Sequence, residues 1–370
     1  MTTIPLVDLH AQYLSMKDEI DAAIAEVIGA SAFIRSPHVD RFEAEFAAAI
    51  GARLCVSCAN GTDALYIAMS ALGLRSGEEV IVPAMSWIST SETVTQAGGR
   101  VVFCEIDPET HTLDPERLAD VITSRTVGII PVHLYGHPAR MDRIMEIAST
   151  HGLWVLEDCA QAHLAEFRGR KVGTFGVAGT FSFYPGKNLG AMGDAGGIVT
   201  NDAALAERMA MFARHGGLKK HDHQIEGINS RLDGLQAAIL NVKLAHLPSW
   251  TERRHSLAER YGQSLAGSAG ITLPVGSEWA KHVWHVYQIR VADRDELMQR
   301  LKAQGIQTGV NYPNALPFLP CYAHHGHGPD DFPIAYALGK QTLSLPIYPE
   351  MTEAQQAAVV ESLRQSLPKV

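Results

Sequence analysis

Leu153-Trp-Val-Leu-Glu-Asp158-Cys-Ala-Gln161-Ala-His163 is a short apolar run that leads directly into two carboxylates. An apolar run of this length, followed by polar residues, predicts a strand that is buried on both faces. In an open parallel sheet, the carboxyl ends of such strands line the crevice that binds the ligand. The segment therefore predicts a parallel sheet with Asp158 at its ligand-binding edge. A solvated strand end or a helix N-cap is the alternative interpretation of Asp158.

The alternation of short β-rich runs with helical stretches extends from about residue 53 to residue 200. Strands are predicted at Arg53–Cys58, Glu79–Pro83, Arg100–Ile106, Val127–His133, Leu153–Glu157, Thr180–Tyr184 and Gly197–Thr200. Helices are predicted at Thr62–Leu72, Ser86–Gln96, Pro115–Ile122 and Met141–His151. Gly73 is placed as a C-cap, and Asp114-Pro115 as an N-cap with a proline at the first helical position. This order predicts an α/β fold, with a mostly parallel seven-stranded sheet sandwiched by helices.

The pattern changes after Asn229. A long helical stretch is predicted to end at Pro248, and an alternating strand follows at Val283–Val291. A helix then begins with the capping-box pattern Asp293-x-x-Glu296, and Ile306–Val310 resembles a returning strand. These elements predict a smaller α+β domain over residues 249–370, after a large domain over residues 1–248 that includes the N-terminal segment.

Composition excludes several classes of protein. The 370 residues are 46% hydrophobic and 19% charged, with a formal net charge of −9, which argues against a nucleic-acid partner. No apolar run is long enough to cross a membrane, and no secretory signal is visible, so a cytoplasmic location is expected. The five cysteines are expected to be reduced thiols, and Cys55-x-x-Cys58 falls in a predicted strand. Cys321-Tyr-Ala-His-His-Gly-His resembles a metal cluster but lacks a regular element to fix it, so no metal is expected.

Three segments carry residues suited to one cofactor. Gly61-Thr62-Asp63 follows the first strand and opens a helix, where free N–H groups and the helix dipole favour a phosphate. Lys187 follows a strand in Ser182-Phe-Tyr184-Pro-Gly-Lys187-Asn-Leu-Gly190, where an apolar setting would lower its pKa and make it a nucleophile. An ordinary turn and a surface lysine are the alternatives.

A lysine that forms an imine, a carboxylate for a ring nitrogen and phosphate donors are what an aldehyde-pyridine-phosphate cofactor requires. Trp87, which follows the second strand, would be an aromatic lid, although a core position is the alternative for a tryptophan. The segments together predict such a cofactor.

The chain resembles the DegT/DnrJ/EryC1/StrS family of sugar aminotransferases, which have the aspartate-aminotransferase-like fold (fold type I). The resemblance extends nearly end to end. Its motifs are Asn60-Gly-Thr-Asp-Ala-Leu65, Glu157-Asp-Cys-Ala-Gln-Ala-His163, Phe181-Ser-Phe-Tyr-Pro-Gly-Lys-Asn-Leu-Gly190, Gly193-Asp-Ala-Gly-Gly197 and Gly227-Ile-Asn-Ser-Arg-Leu-Asp233.

This resemblance implies pyridoxal 5'-phosphate as the cofactor, with Lys187 as the imine lysine and Asp158 on the pyridine nitrogen. It implies Gly61, Thr62, Asp63 and Ser182 at the phosphate, Trp87 on the ring and Gln161 near the ring hydroxyl. Asn229 would reach into the neighbouring subunit's site, so that a homodimer is required for activity.

The implied reaction moves an amino group from glutamate to a nucleotide-linked keto-sugar, as in deoxyamino-sugar and glycan biosynthesis. The segment Asn229-Ser-Arg-Leu-Asp233 favours amination at C3, and a C4 aminotransferase is the alternative. Candidate substrate contacts are Tyr184, His215, Lys219, His282, His285 and Tyr312. A lyase, a decarboxylase, a desulfurase that uses Cys321 and a regulator without turnover are more distant alternatives. A sugar dehydratase relative would have histidine in place of Lys187.

Overall fold

The computed structural model describes residues 3–367. Within them, the α-helices are α1 (Leu9–Ser15), α2 (Lys17–Ala30), α3 (Pro37–Ile50), α4 (Gly61–Leu72), α5 (Ser89–Gln96), α6 (Leu118–Val121), α7 (Met141–His151), α8 (Ala203–Ala213), α9 (Gly234–Leu265), α10 (Arg294–Ala303), α11 (Pro333–Gln341) and α12 (Glu353–Ser366). The strands are β1 (Leu54–Cys58), β2 (Glu79–Pro83), β3 (Arg100–Cys104), β4 (Thr126–Ile129), β5 (Trp154–Asp158), β6 (Glu166–Phe167), β7 (Arg170–Lys171), β8 (Ala178–Ser182), β9 (Gly196–Thr200), β10 (Ile271–Thr272), β11 (Ala280–Lys281), β12 (Tyr287–Val291) and β13 (Thr342–Leu345).

The large sheet has seven strands in the order β1-β9-β8-β5-β4-β2-β3. Strands β2, β3, β4, β5 and β8 are paired in parallel, and β9 is antiparallel to both of its neighbours, β1 and β8. Six strands therefore point the same way, which confirms the predicted mostly parallel sheet. Their carboxyl ends meet at one edge, where the candidate site lies.

The predicted ends of the helices and strands in residues 53–200 agree with the structure to within a few residues. Gly73 ends α4 with a positive φ of 76°, and the side chain of Asp114 accepts a hydrogen bond from the N–H of Glu116. Helix α5 begins at Ser89, three residues later than predicted, and the residues Pro115–Arg117 form a 3-10 turn before α6. These differences are confined to element ends, where the helical hydrogen-bond pattern is weakest.

The prediction that a helix ends at Pro248 is wrong, because α9 continues through this residue to Leu265. Proline has no N–H to donate to the carbonyl of residue 244, which is why a helix end was expected there. The helix continues because the residues beyond the proline, among them Trp250 and Leu257, are buried. Thr251 also returns a side-chain hydrogen bond of 2.9 Å to the carbonyl of Leu247.

The C-terminal part contains the three-stranded sheet β10-β12-β13 and the helices α10 and α12, with a core that includes Tyr261 and Tyr287. The strand expected from Val283 begins only at Tyr287, and residues 306–310 make isolated bridges rather than a strand. Asp293 caps α10 by position, but its side chain makes no capping hydrogen bond. The division of the chain at residue 248 remains a prediction, and α9 runs across it.

All five cysteines are free thiols, four of them buried and Cys321 exposed. No helix within residues 3–367 combines the length and the apolar character that crossing a membrane requires.

Candidate active site

A cavity of about 680 Å³ lies at the carboxyl ends of β1, β2, β5 and β8. It brings together ten of the residues that the sequence analysis selected: Gly61, Thr62, Asp63, Trp87, Asp158, Gln161, Ser182, Tyr184, Lys187 and Tyr312. The segments that carry them are far apart in the chain and converge because parallel strands end at the same edge of a sheet.

Lys187 lies on a tight turn directly after β8. The backbone N–H of Lys187 donates a 2.8 Å hydrogen bond to the carbonyl of Tyr184 and closes this turn. Burial lowers the pKa of Lys187 to about 8, although the charge of Asp158 acts in the opposite direction. About a tenth of the amine is therefore neutral at pH 7, far more than for an ordinary lysine, and the neutral amine is the form that attacks a carbonyl.

Asp158 is the last residue of β5 and is 5% exposed. Its Oδ2 accepts a 2.8 Å hydrogen bond from the hydroxyl of Thr90, and its Oδ1 accepts one of 3.1 Å from the N–H of Ala160. Burial raises the pKa of Asp158, opposed by these hydrogen bonds and by the charges of Lys187 and His133. The carboxylate is thus fixed and poorly solvated, a setting that favours pairing with a cationic nitrogen.

The amino end of α4 forms the polar end of the cavity. The side chain of Asn60 caps the helix by accepting a hydrogen bond from the N–H of Asp63, and the hydroxyls of Thr62 and Ser89 lie 2.7 Å apart. A Cβ atom on Gly61 would lie 2.6 Å from that of Ser182, so only glycine allows β8 to approach so closely. The helix dipole and the clustered hydroxyls together suit a phosphate.

Asp63 lies at this end of the cavity with both of its polar groups engaged. Its N–H bonds to Asn60, and its carboxylate accepts a 2.6 Å hydrogen bond from the hydroxyl of Ser230. A carboxylate would also repel a phosphate. Asp63 thus connects α4 to the segment before α9, and its predicted contact with a phosphate stays a prediction.

Gln161, Trp87 and Tyr312 also line the cavity. Gln161 accepts a 2.6 Å hydrogen bond from the N–H of Tyr135 and donates one of 2.9 Å to the hydroxyl of Tyr312. The rings of Trp87 and Tyr312 lie 5.5 Å apart. Trp87 is 57% exposed, so an aromatic face remains available for stacking.

Two of the predicted substrate contacts, His282 and His285, do not line the cavity of their own chain, and their predicted roles stay predictions. His282 stacks on Trp284 with ring centroids 3.8 Å apart, and its Nδ1 accepts a hydrogen bond from the N–H of Trp284. His285 donates from its Nδ1 to the side-chain oxygen of Asn188, 3.2 Å away. His282 thus fixes the backbone at Trp284, and His285 holds the side chain of Asn188, the neighbour of Lys187.

His215, Lys219 and Asn229 also do not line the cavity of their own chain. They are exposed on the segment that joins α8 to α9. Their predicted roles, including the contact of Asn229 with a neighbouring subunit's site, stay predictions.

The sequence analysis missed several residues that line the cavity, above all Thr90. Ser86, Ser89 and Asp194 also line it. The hydroxyl-rich run Ser86-Trp-Ile-Ser-Thr-Ser91 after β2 was the available signal, because hydroxyls at a strand end face the same crevice.

His133, Glu157 and Cys159 form the one group of metal-ligand types found within residues 3–367. Glu157 already accepts hydrogen bonds from His133 Nε2 and from the N–H groups of residues 173, 175 and 176. His133 Nδ1 accepts from the N–H of Ala139, so its Nε2 carries the proton. The group therefore fixes the end of β5, next to Asp158, through hydrogen bonds rather than through a metal.

Comparison with known proteins gives one consistent result. Residues 14–364 match the DegT/DnrJ/EryC1/StrS aminotransferase family. The chain is 44% identical to the erythromycin biosynthesis sensory transduction protein EryC1 of Saccharopolyspora erythraea, over 98% of this chain and 99% of that protein. It is 43% identical to the dTDP-3-amino-3,4,6-trideoxy-alpha-D-glucose transaminase of Streptomyces venezuelae, over 99% and 97% of the two chains. The crystal structure of S. venezuelae DesV superposes with a TM-score of 0.97 at 43% identity, covering 99% of this chain and 98% of that one.

Proposed function

The chain belongs to the DegT/DnrJ/EryC1/StrS aminotransferase family, and we propose that it transfers an amino group from glutamate to C3 of a nucleotide-linked 3-keto sugar. The observation that supports this most directly is the placement of Lys187 and Asp158 in one cavity, next to the amino end of α4. An amine, a carboxylate and an anion-binding end are the three protein groups that this chemistry requires.

Enzymes of this family depend on pyridoxal 5'-phosphate, and the residues of the cavity fit that group. Lys187 supplies an amine that burial makes partly neutral, and Asp158 supplies a desolvated carboxylate. The hydroxyls of Thr62, Ser89 and Ser182 line the end where a phosphate would lie. When bound, the cofactor accepts the electron pair released at the substrate carbon and stores the amino group between the two half-reactions.

Lys187 acts in this proposal as the proton carrier. Its Nζ would take the proton from the α-carbon of glutamate as a general base and would give up a proton as a general acid later in the transfer. A pKa of about 8 suits both directions, because both protonation states are populated near neutral pH. Asp158 would keep the ring nitrogen of a bound cofactor protonated, and hydrogen bonds from Thr90 and Ala160 hold its carboxylate in place.

We further propose that the active unit is a homodimer, because the cavity of one chain contains no arginine and no lysine besides Lys187 among the described residues. A diphosphate and the carboxylates of glutamate need cationic partners. The exposed segment with His215, Lys219 and Asn229 offers the cation of Lys219, together with further hydrogen-bonding side chains, to a second subunit.

Exposed apolar residues support the same assembly. Phe33 and Ile34 are 42% and 48% exposed, and Met192 is 40% exposed. All three lie beside the start of α9: Phe33 accepts from the N–H of Gly234, Ile34 bridges Asp233, and Met192 donates to Gln236. Apolar side chains clustered next to the Asn229 segment fit a subunit interface.

The five free thiols, with Cys321 exposed, fit a reducing compartment, so we place the reaction in the cytoplasm.

Amination at C3 is supported by the 43% identity to the S. venezuelae transaminase, which is named after a 3-amino sugar. The test is a panel of nucleotide-linked 3-keto and 4-keto sugars, each incubated with glutamate, with the product's mass and amino position determined. We expect amination of 3-keto sugars. A preference for 4-keto sugars would contradict the proposed position and favour the C4 alternative.

A regulator without turnover is the second candidate, favoured by the name of the S. erythraea relative, a sensory transduction protein. Glutamate alone separates the two. A transaminase converts its bound cofactor to the aminated form and releases one equivalent of 2-oxoglutarate, whereas a non-catalytic binder leaves the cofactor absorbance unchanged.

A further inference from the structure

A second lysine lies buried behind the turn that carries Lys187. Lys243, on α9, is 3% exposed. Its Nζ donates hydrogen bonds of 2.8 Å to the carbonyl oxygen of Gly190 and 3.0 Å to the side-chain oxygen of Gln12. Gln12 belongs to α1, so one ammonium group joins the N-terminal segment, the long helix and the end of the Lys187 turn.

The backbone that Lys243 holds is tightly folded. The N–H of Ala191 donates 2.7 Å to the carbonyl of Phe183 and closes the segment that contains Lys187. A Cβ atom on Gly190 would lie 2.2 Å from the carbonyl oxygen of Pro185, so this turn accepts no side chain there. Fixing the carbonyl of Gly190 therefore fixes the closed loop as a whole.

Burial lowers the pKa of Lys243 to about 8, and the charge of Glu350 acts in the opposite direction. The carboxylate of Glu350 favours the charged form of Lys243 and also that of Arg254, another buried cation of α9. Arg254 donates to the backbone carbonyls of Trp284 and Ile347. Gln12, Lys243 and Arg254 are buried and Glu350 is half-buried, and together they form a buried polar layer behind the Lys187 turn.

We propose that Lys243 is a positioning residue for Lys187: its ammonium group holds the carbonyl of Gly190 and thereby the turn that aims Lys187 at Asp158. The inference rests on the proposed role of Lys187. A charged donor in a buried site makes a stronger hydrogen bond than a neutral one, which suits it to hold a turn that must present a reactive amine. The position of the turn thus depends on α9, through Lys243, and on α1, through Gln12, as well as on the sheet.

The test is hydrogen exchange of the backbone amides of Lys187 and Ala191 in the full-length, cofactor-loaded protein. Lys243→Met keeps the length and the apolar stem of the side chain but removes the donor. We expect these two amides to exchange about tenfold faster or more, the size expected for loss of a buried hydrogen bond to a charged group. Gln12→Leu removes the second partner of the ammonium, should give a smaller increase, and serves as the readout if Lys243→Met does not fold.

Arg294→Met is the matched control. Arg294 is 8% exposed and donates a hydrogen bond to the backbone carbonyl of Thr342. Like Lys243→Met, this substitution removes a buried cation that bonds to a backbone carbonyl, but at a site outside the Lys187 turn. It should leave exchange at Lys187 and Ala191 unchanged.

With the 3-keto sugar, Lys243→Met should lower kcat about tenfold and change KM less than about twofold, because the turn positions the chemical step rather than the sugar. Unchanged exchange in the turn in a folded variant, or an equal increase in Arg294→Met, would overturn the proposal. Failure of the sugar panel would not affect the exchange result, so the two proposals fail separately.

Discussion

Lys187 and Lys243 lie in two neighbouring regions, the cavity and the buried polar layer behind the Lys187 turn, and burial lowers the pKa of each to about 8. They differ in their hydrogen bonds. Lys243 donates to Gly190 and Gln12, whereas the hydrogen bonds found within residues 3–367 include none from the Nζ of Lys187. A perturbed pKa therefore does not by itself identify a nucleophile. The amine that reacts is the one whose lone pair and protons are not already used by the protein.

Removal of the reactive amine should have the largest effect. Lys187→Ala leaves the phosphate end and Asp158 in place but removes the nucleophile and proton carrier. We expect kcat for transamination to fall by about 10⁴-fold or more, while the cofactor still binds. Steady-state kinetics and equilibrium dialysis measure the two effects. Lys340→Ala, an exposed lysine of α11, is the control and should keep full activity.

Removal of the negative charge of Asp158 should have the next largest effect. Asp158→Asn keeps the shape of the side chain but removes the negative charge that would keep the ring nitrogen of the cofactor protonated. We expect kcat to fall about 10²–10³-fold, the range for removing one fixed electrostatic group. Because Asp158 raises the pKa of Lys187, its loss should lower that pKa below about 8. Amine-labelling rates of the cofactor-free protein, followed against pH, measure this shift, and an upward shift would contradict it.

The buried side chain of His163 should respond to acid rather than to substrate. His163 packs among Phe46, Phe181 and Phe183, and burial, with the charge of Lys187 second, lowers its pKa to about 3 from 6.5. Between pH 6.5 and about pH 3, His163 binds a proton in the unfolded chain but stays neutral in the native protein. The stability from neutral His163 is thus present above pH 6.5 and lost as pH falls toward 3.

His163→Leu should remove this loss. The drop in the free energy of unfolding between pH 7.5 and pH 5 should shrink by about 2 kcal/mol, since one pKa unit corresponds to 1.36 kcal/mol. Urea unfolding at each pH measures it. The same substitution at the exposed His10 should leave the pH dependence unaltered, and equal slopes in both variants would refute the assignment.

The smallest effect is expected from loss of the hydrogen bond between Thr90 and Asp158. Thr90→Val removes the hydroxyl that donates to Asp158 but conserves shape. Loss of this hydrogen bond raises the pKa of Asp158 further, and we expect kcat to fall about tenfold, equivalent to one hydrogen bond of roughly 1.4 kcal/mol. Thr93→Val removes a buried hydroxyl of the same helix that bonds only to the Ser89 carbonyl, and its kcat should stay within about twofold of the wild type.

The same comparison explains how far the sequence could be interpreted. Lys187, Asp158 and Gly61 were identifiable because each lies at or shortly after the end of a strand, and parallel strands bring such positions together whatever their separation in the chain. The strands themselves were found because fully buried strands are continuous apolar runs.

The residues that hold these groups were not identifiable. Thr90 meets Asp158, and Lys243 meets Gly190, only after the tertiary fold has formed, and neither lies in a local pattern that indicates a partner. The predicted helix end at Pro248 was wrong for a related reason. Its local cost to a helix is real, but burial of the residues that follow it outweighs that cost.

Borohydride reduction of the cofactor-loaded protein, followed by peptide mapping, tests most directly which of the two lysines carries the cofactor. Reduction makes the bond between an amine and the cofactor aldehyde permanent, so the modified lysine can be located by mass. We predict that the cofactor-derived mass lies on Lys187 alone. A label on Lys243, or no label on Lys187 in the loaded protein, would contradict the account.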